Sequence, residues 1–251
     1  MIYLLAIETS TEICSVAVGK NDECMSVAED NRENSHAEKI LLFVNQVLRD
    51  TGLKMKELDA VCISEGPGSY TGLRIGTSSA KGLCDALDVP LISVPTLQSM
   101  AWGAREQYPD YKHYIPMIDA RRMEVYTAVY NQHLEAVENS TNLILDENSY
   151  SVFLSRDKVV FSGNGMMKAM PILSENSNAI FCNTRTSARY LLELGYKKYI
   201  EQDFADLAYF EPFYLKGAPN NPIYHSASIA GLTHNPRLNA FVAEKTETSS
   251  A

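Results

Sequence analysis

Leu4-Leu5-Ala6-Ile7-Glu8, Cys14-Ser15-Val16-Ala17-Val18 and Met25-Ser26-Val27-Ala28-Glu29 are three short apolar or alternating runs, separated by polar and turn-forming residues such as Gly19-Lys20-Asn21-Asp22. Their spacing predicts three antiparallel strands in a meander. Ser35-His36-Ala37-Glu38 fits a capping box, so Ser35 is expected to cap a helix from His36 to about Asp50, which Gly52 stops. Beyond it, Ala60 to Ser64 reads as a buried strand and Thr71 to Leu87 as a helix. Leu91 to Val94 reads as another strand, and Thr96 to Tyr108 as a helix capped by its threonine.

The resulting order, β-β-β-α-β-α-β-α, predicts an α/β fold: a mixed sheet with helices on both faces, the order of ribonuclease H-like and actin-like folds. At 251 residues the chain has room for two lobes of roughly 100 to 150 residues. We expect one over residues 1–108 and a smaller one over 109–218. In the second, Ile115 to Asp119 and Val125 to Tyr130 read as strands joined through Ala120-Arg121-Arg122-Met123, and Val159 to Ser162 precedes Gly163-Asn164-Gly165. With helices at Ser149 to Leu154 and Thr186 to Leu194, this is a partial copy of the first pattern. Residues 219–251 turn to Asn, Pro, His, Ser and Thr without a period and read as a loosely packed tail.

Composition narrows the function classes. Apolar residues make up 45% and charged ones 21%, as in ordinary globular proteins. No apolar run approaches the roughly 18 residues of a membrane span, and Met1 to Ile7 lacks a signal-peptide pattern, so the expectation is a cytoplasmic protein. A net charge of -9 repels a polyanion unless basic residues gather on one face, so tRNA or other nucleic acid is not expected as a direct partner. Cys14, Cys24, Cys62, Cys84 and Cys182 are odd in number and never form C-x-x-C, which argues for reduced, mostly buried thiols.

Four segments carry a family resemblance. Leu4 to Thr11 with Cys14 to Val18, and above all Gly66-Pro67-Gly68-Ser69-Tyr70-Thr71-Gly72-Leu73-Arg74-Ile75-Gly76 running on to Ala80-Lys81-Gly82-Leu83, resemble the TsaB family. Asp119-Ala120-Arg121-Arg122 with Glu124-Val125-Tyr126, and Phe213-Tyr214-Leu215-Lys216, match two further segments of it. The resemblance implies the two-lobed architecture of the actin and sugar-kinase superfamily and a part in tRNA modification. It implies a homodimerising, non-catalytic subunit that pairs with the homologous catalytic subunit TsaD and the ATPase TsaE. That assembly forms threonylcarbamoyladenosine at position 37 of tRNAs reading codons that begin with adenine. His36 to Phe43 lacks the family's usual Ser and Pro, and Lys216-Gly217 replaces a more basic ending.

No catalytic constellation is written in the residues. Glu8-Thr9-Ser10-Thr11 can be read as a phosphate hairpin of an actin-like ATPase or as an inherited turn whose hydroxyls bond the backbone, and no second phosphate loop of Walker type accompanies it. A metallopeptidase would need ligand spacing, yet Ile40 stands four after His36, and His113, His133, His225 and His234 are scattered. We therefore expect no metal and no cofactor. Ser10, Ser15 and Ser69 lie outside any G-x-S-x-G elbow.

Helix surfaces are more informative. Ala37, Ile40, Leu41, Val44 and Leu48 share the expected core stripe, leaving Leu42 nearly opposite and Phe43 on the flank, for a partner or for other parts of the chain to cover. In the next helix Gly72, Gly76 and Ala80 recur at fourfold spacing, each interior Gly costing roughly 1 kcal/mol against Ala. Another backbone must approach them closely, either the first helix of the same chain or, as the resemblance suggests, another subunit. Ser69, Tyr70 and Leu73 join this candidate interface. Arg121 and Arg122 are read either as paired with Glu124 or other carboxylates, or as holding the lobes in register or meeting an acidic partner.

Overall fold

A computed structural model describes residues 1–31 and 36–216. The capping-box Ser35 and the tail over 219–251 lie outside them. The first sheet is built from β1 (Tyr3–Glu8), β2 (Cys14–Lys20), β3 (Glu23–Asp30), β4 (Ala60–Ser64) and β5 (Leu91–Val94), in the order β3-β2-β1-β4-β5. β1 pairs antiparallel with β2, and β2 with β3, whereas β1, β4 and β5 are parallel. Parallel neighbours need helical crossovers. α1 (His36–Thr51) leads into β4, α2 (Tyr70–Leu87) links β4 to β5, and α3 (Thr96–Gln107) leaves β5.

The strand pattern then repeats. β6 (His113–Asp119), β7 (Glu124–Asn131), β8 (Ala136–Ile144), β9 (Val159–Ser162) and β10 (Ala179–Cys182) form a second sheet ordered β8-β7-β6-β9-β10, with the same parallel and antiparallel pairings. α4 (Ser151–Leu154), α5 (Met166–Leu173) and α6 (Arg189–Glu201) stand where α1, α2 and α3 stand in the first. Two mixed sheets of this order are the two-lobed actin-like, ribonuclease H-like fold. The second copy is whole in its strands and reduced in its helices: α4 has 4 residues against 16 in α1, and α5 has 8 against 18 in α2. Three elements escape the sequence pattern for physical reasons. β8 is a mostly exposed edge strand held by backbone pairing, α5 contains Pro171, and β10 has four residues.

The last helix of each half crosses over. α3 packs on β6, β7 and β9, while α6 packs on β1, β2, β4 and β5. Leu97, Met100, Ala101 and Ala104 accordingly belong to the second sheet's core, and Ala188, Leu191 and Leu192 to the first sheet's. Where the two helices meet, a Cβ on Gly103 would lie 2.7 Å from the Tyr190 ring. Thr96 is the first residue of α3 rather than its cap, and its Oγ1 accepts a hydrogen bond from Gly66 N at 3.1 Å. Residues Met1–Leu215 thus form one compact unit.

On α1 the buried stripe is Ile40, Val44, Val47 and Leu48, so Ala37 and Leu41, expected inside, face outward. Among the thiols Cys14, Cys62, Cys84 and Cys182 are buried and Cys24 is exposed.

The small-residue stripe of α2 resolves into one intrachain contact. A Cβ on Gly72 would meet the Thr9 carbonyl oxygen at 2.1 Å, and one on Gly76 would meet Thr9 Oγ1 at 2.2 Å. Ala80 is buried in the first sheet's core. The close neighbour of Gly72 and Gly76 within the chain is therefore the β1–β2 turn rather than α1. Gly82, further along, faces open space. Opposite effects follow from one chemical change: Gly72→Ala should destabilise by about 1 to 3 kcal/mol through overpacking against backbone, whereas Gly82→Ala should stabilise by up to about 1 kcal/mol. Urea denaturation of the two variants measures both signs.

Candidate functional site

Ligands of open α/β sheets bind beyond the carboxyl ends of the parallel strands. Here those ends face one another: Thr9 to Ile13 follows β1, and Gly163 to Gly165 and Asn183 to Ala188 follow β9 and β10. Side chains close the space between them. Thr11 Oγ1 and Thr186 Oγ1 are 2.6 Å apart, and Asn164 donates to Glu12 Oε2 at 2.9 Å. Ala188 N donates to Ser15 Oγ at 2.8 Å, and Ser15 and Ser187 both donate to the Glu29 carboxylate. The cavity left, lined by Thr11, Glu12, Ile13, Met100, Asn164, Arg185 and Thr186, is about 10 Å³. That is room for about one water.

Glu8, Thr9, Ser10 and Thr11, the candidate phosphate hairpin, are all buried. Glu8 Oε1 accepts from Ser10 N at 2.6 Å and from Ser64 Oγ at 3.0 Å. Removal from water outweighs these bonds and holds its carboxyl above the usual carboxylate range. Among the described residues, Glu8 Oε2, Thr9 Oγ1, Ser10 Oγ and Thr77 Oγ1 are buried without a hydrogen-bond partner. The lid over the hairpin is the Gly66–Ser69 loop. Ser69 N donates to the Ser10 carbonyl at 2.6 Å, a Cβ on Gly68 would lie 2.3 Å from that same oxygen, and Ser69 caps α2 through Gly72 N. A phosphate reaches these hydroxyls only if α2 lifts away.

The C-terminal segment buttresses that lid. Ala205 N bonds Leu91 O at 2.8 Å, Phe213 N bonds Glu65 O at 2.7 Å, and Lys81 Nζ reaches the carbonyls of Ala208 and Phe210. Tyr214 lies 5.0 Å from the Tyr70 ring, while Arg74 donates to Tyr70 Oη at 2.6 Å and sits over that ring.

The candidate interface residues separate into two groups. Leu73, Gly72, Gly76 and Ala80 are buried within the chain, and Phe43 is half-buried against the first core. Leu42 is 63% exposed and Leu41, beside it, 55%. Ser69 is exposed and Tyr70 half-buried at the start of α2. Arg121 and Arg122 form the tip of the β6–β7 hairpin, both exposed, with φ of 70° and 49°. Such left-handed residues without a glycine cost roughly 1 to 2 kcal/mol each. Neither guanidinium pairs with a carboxylate or bridges to the first half among the described residues. Among them, too, no three His, Cys, Asp or Glu cluster as a metal site, and no helix is long and apolar enough to cross a membrane. His225 and His234 lie outside them.

Sequence reasoning missed the roles of Asn164, Thr186 and Ser187, and of the strap after α6 it singled out only Phe213 to Lys216. Thr11 and Thr186 are 175 positions apart, and no local pattern marks a polar pair whose partner is a fold away.

Residues 30–238 match the family model described as "TsaD: tRNA N6-adenosine threonylcarbamoyltransferase". The chain is 28% identical to the tRNA threonylcarbamoyladenosine biosynthesis protein TsaB of Haemophilus influenzae, over 85% of this chain and 93% of that one. It is 33% identical to the TsaB protein of Buchnera aphidicola subsp. Schizaphis graminum, over 69% and 82%. Among solved structures, YeaZ from Pseudomonas aeruginosa superposes with a TM-score of 0.74 at 27% identity, covering 86% of this chain and all of that one.

The raised pKa of the Glu8 carboxyl gives the site a pH signature. Because the folded state raises its pKa, its contribution is whole below the unfolded value of about 4.3 and is lost as pH rises through the folded one. Glu8→Gln keeps an oxygen acceptor and removes the charge, so its melting temperature should exceed that of the unsubstituted protein by a margin that widens from pH 4 to pH 8. Thermal melts across that range check the slope.

Proposed function

The chain belongs to the TsaB family, and from that premise we propose that it takes part in tRNA threonylcarbamoyladenosine biosynthesis as a non-catalytic, dimerising scaffold. Its work is to hold and orient a TsaD-like catalytic subunit, with a TsaE-like ATPase joining the assembly, in the cytoplasm. The observation that carries this reading is the filled space between the two sheets. A cavity of about 10 Å³ accepts neither nucleotide nor threonylcarbamoyl adenylate, and the hydroxyls that would meet a phosphate are buried beneath α2. What remains for the chain to offer is surface.

The surface best suited to a partner is the outer face of α1. Leu41 and Leu42 put two large apolar side chains in water one residue apart, beside the exposed Ala37 and Asn45. Burying each fully on a partner is worth roughly 1.5 to 3 kcal/mol. α1 also touches α2, whose start presents the exposed Ser69 and, stacked on Tyr214, the half-buried Tyr70. One face can serve a second copy of this chain or TsaD, which makes the homodimer and the heteromeric complex competing states.

Reconstitution with TsaD, TsaE, a threonylcarbamoyl adenylate supply and unmodified tRNA tests the reading. Omitting this chain should abolish modification. Leu41→Asp with Leu42→Asp should change stability by no more than about 0.5 kcal/mol, as exposed substitutions do, yet lose self-association and TsaD capture. Full modification without the chain would contradict the proposal. Nucleotide turnover by the isolated chain that Glu8→Ala abolishes would favour the actin-like ATPase instead.

A further inference from the structure

The tip of the β6–β7 hairpin is Arg121-Arg122. Two consecutive left-handed residues favour Gly or Asn, yet this chain places two arginines there. The loop beneath is fastened with care. Asp119 accepts from Arg121 N at 2.6 Å and from Lys168 Nζ at 2.5 Å, and Asp119 N donates to Asn164 Oδ1 at 2.9 Å. Lys168 also reaches the Glu124 carbonyl, and Leu145 N binds the Met123 carbonyl. Both arginines are exposed on a backbone pinned in this way, and the Arg121 charge is near enough to act on Tyr126. Arg185, exposed on the same rim, lines the small cavity beside Asn164. The rim's carboxylates Asp119 and Glu12 are engaged by Lys168 and Asn164, and none of the three arginines has a carboxylate within ion-pair distance among the described residues.

We infer that Arg121 and Arg122, with Arg185 behind them, contact backbone phosphates of the RNA bound by the assembled complex. The ligand chemistry follows from the groups. Guanidinium forks match phosphate oxygens bidentately, and several separately mounted arginines suit a chain of repeated charges better than a single carboxylate. An overall charge of -9 opposes RNA capture by the isolated chain, so the contact acts where a partner already holds the RNA. The inference rests on the proposed place in tRNA modification and adds a direct contact to it.

The test compares the reconstituted complex carrying the native tip, Arg121→Gly with Arg122→Gly, or Arg121→Lys with Arg122→Lys. Each is titrated with an unmodified tRNA transcript over a range of salt, and melting temperatures are taken alongside. Relief of the left-handed strain should raise the glycine variant's melting temperature while its RNA affinity falls about tenfold or more. Its plot of log affinity against log salt should be shallower by roughly 0.7 to 0.9 for each phosphate no longer neutralised. The lysine variant should keep most of the salt slope and bind with intermediate affinity. Unchanged affinity and slope in the glycine variant would overturn the inference, as would loss of TsaD capture in the absence of RNA, which would make the tip's ligand an acidic protein surface. If the complex with the native tip neither binds nor modifies tRNA, it is the proposed function that fails.

Discussion

The rest of the molecule depends on the approach of the α2 backbone to the turn after β1. Gly68 and Gly72 lie where any Cβ would run into the carbonyl oxygens of Ser10 and Thr9, and Gly76 where one would meet the Thr9 hydroxyl. Such closeness lets the helix lie directly on the turn, so that Ser69 N reaches the Ser10 carbonyl and Ser69 caps the helix it begins. The same closeness buries Glu8, Thr9 and Ser10. A hairpin that in an open fold could face a ligand becomes interior here, the pKa of its carboxyl raised by burial and several hydroxyls without a hydrogen-bond partner among the described residues. Unpaired buried polar atoms cost about 1 to 3 kcal/mol each, which packing elsewhere in the fold must offset.

Helix exchange completes the closure. With α3 on the second sheet and α6 on the first, neither half's core is complete without the other's last helix. The polar pairs Thr11–Thr186 and Glu12–Asn164 then lie across the line where the strand ends face each other. Hinged opening would break these pairs and shear α3 against α6 at Gly103, where the Tyr190 ring leaves no slack. Met1–Leu215 is one compact unit that carries apolar Leu41 and Leu42 and basic Arg121 and Arg122 on its outside.

Much of the first half was legible in the sequence because its strands are buried and bounded by turn residues. Ala60 to Ser64 and Leu91 to Val94 were readable to the residue, as was Val159 to Ser162 in the second half. The weaker half hides its elements: β8 shows no alternation because its side chains are mostly in water, and Pro171 masks α5. Small-residue spacing in α2 correctly signalled a close backbone approach, but composition cannot name the neighbour, and a turn roughly 60 to 70 positions upstream leaves no local trace. α1 misled by one helical edge, since Leu41 and Val47 are both apolar and only packing chooses between them. The candidate site was legible as residue types and illegible as geometry, because Thr186 and Asn164 look like any loop polar residue.

Hydrogen exchange of backbone amides in the isolated chain, with added nucleotide and with added TsaD, tests the central claim most directly. If the space between the sheets is sealed and the chain acts through its surface, amides of Thr9 to Thr11 exchange slowly from the outset and are unmoved by nucleotide. TsaD then slows exchange along α1 and the exposed face of α2. Rapid exchange at Thr9 to Thr11 that nucleotide suppresses, with α1 unaffected by TsaD, would contradict the account.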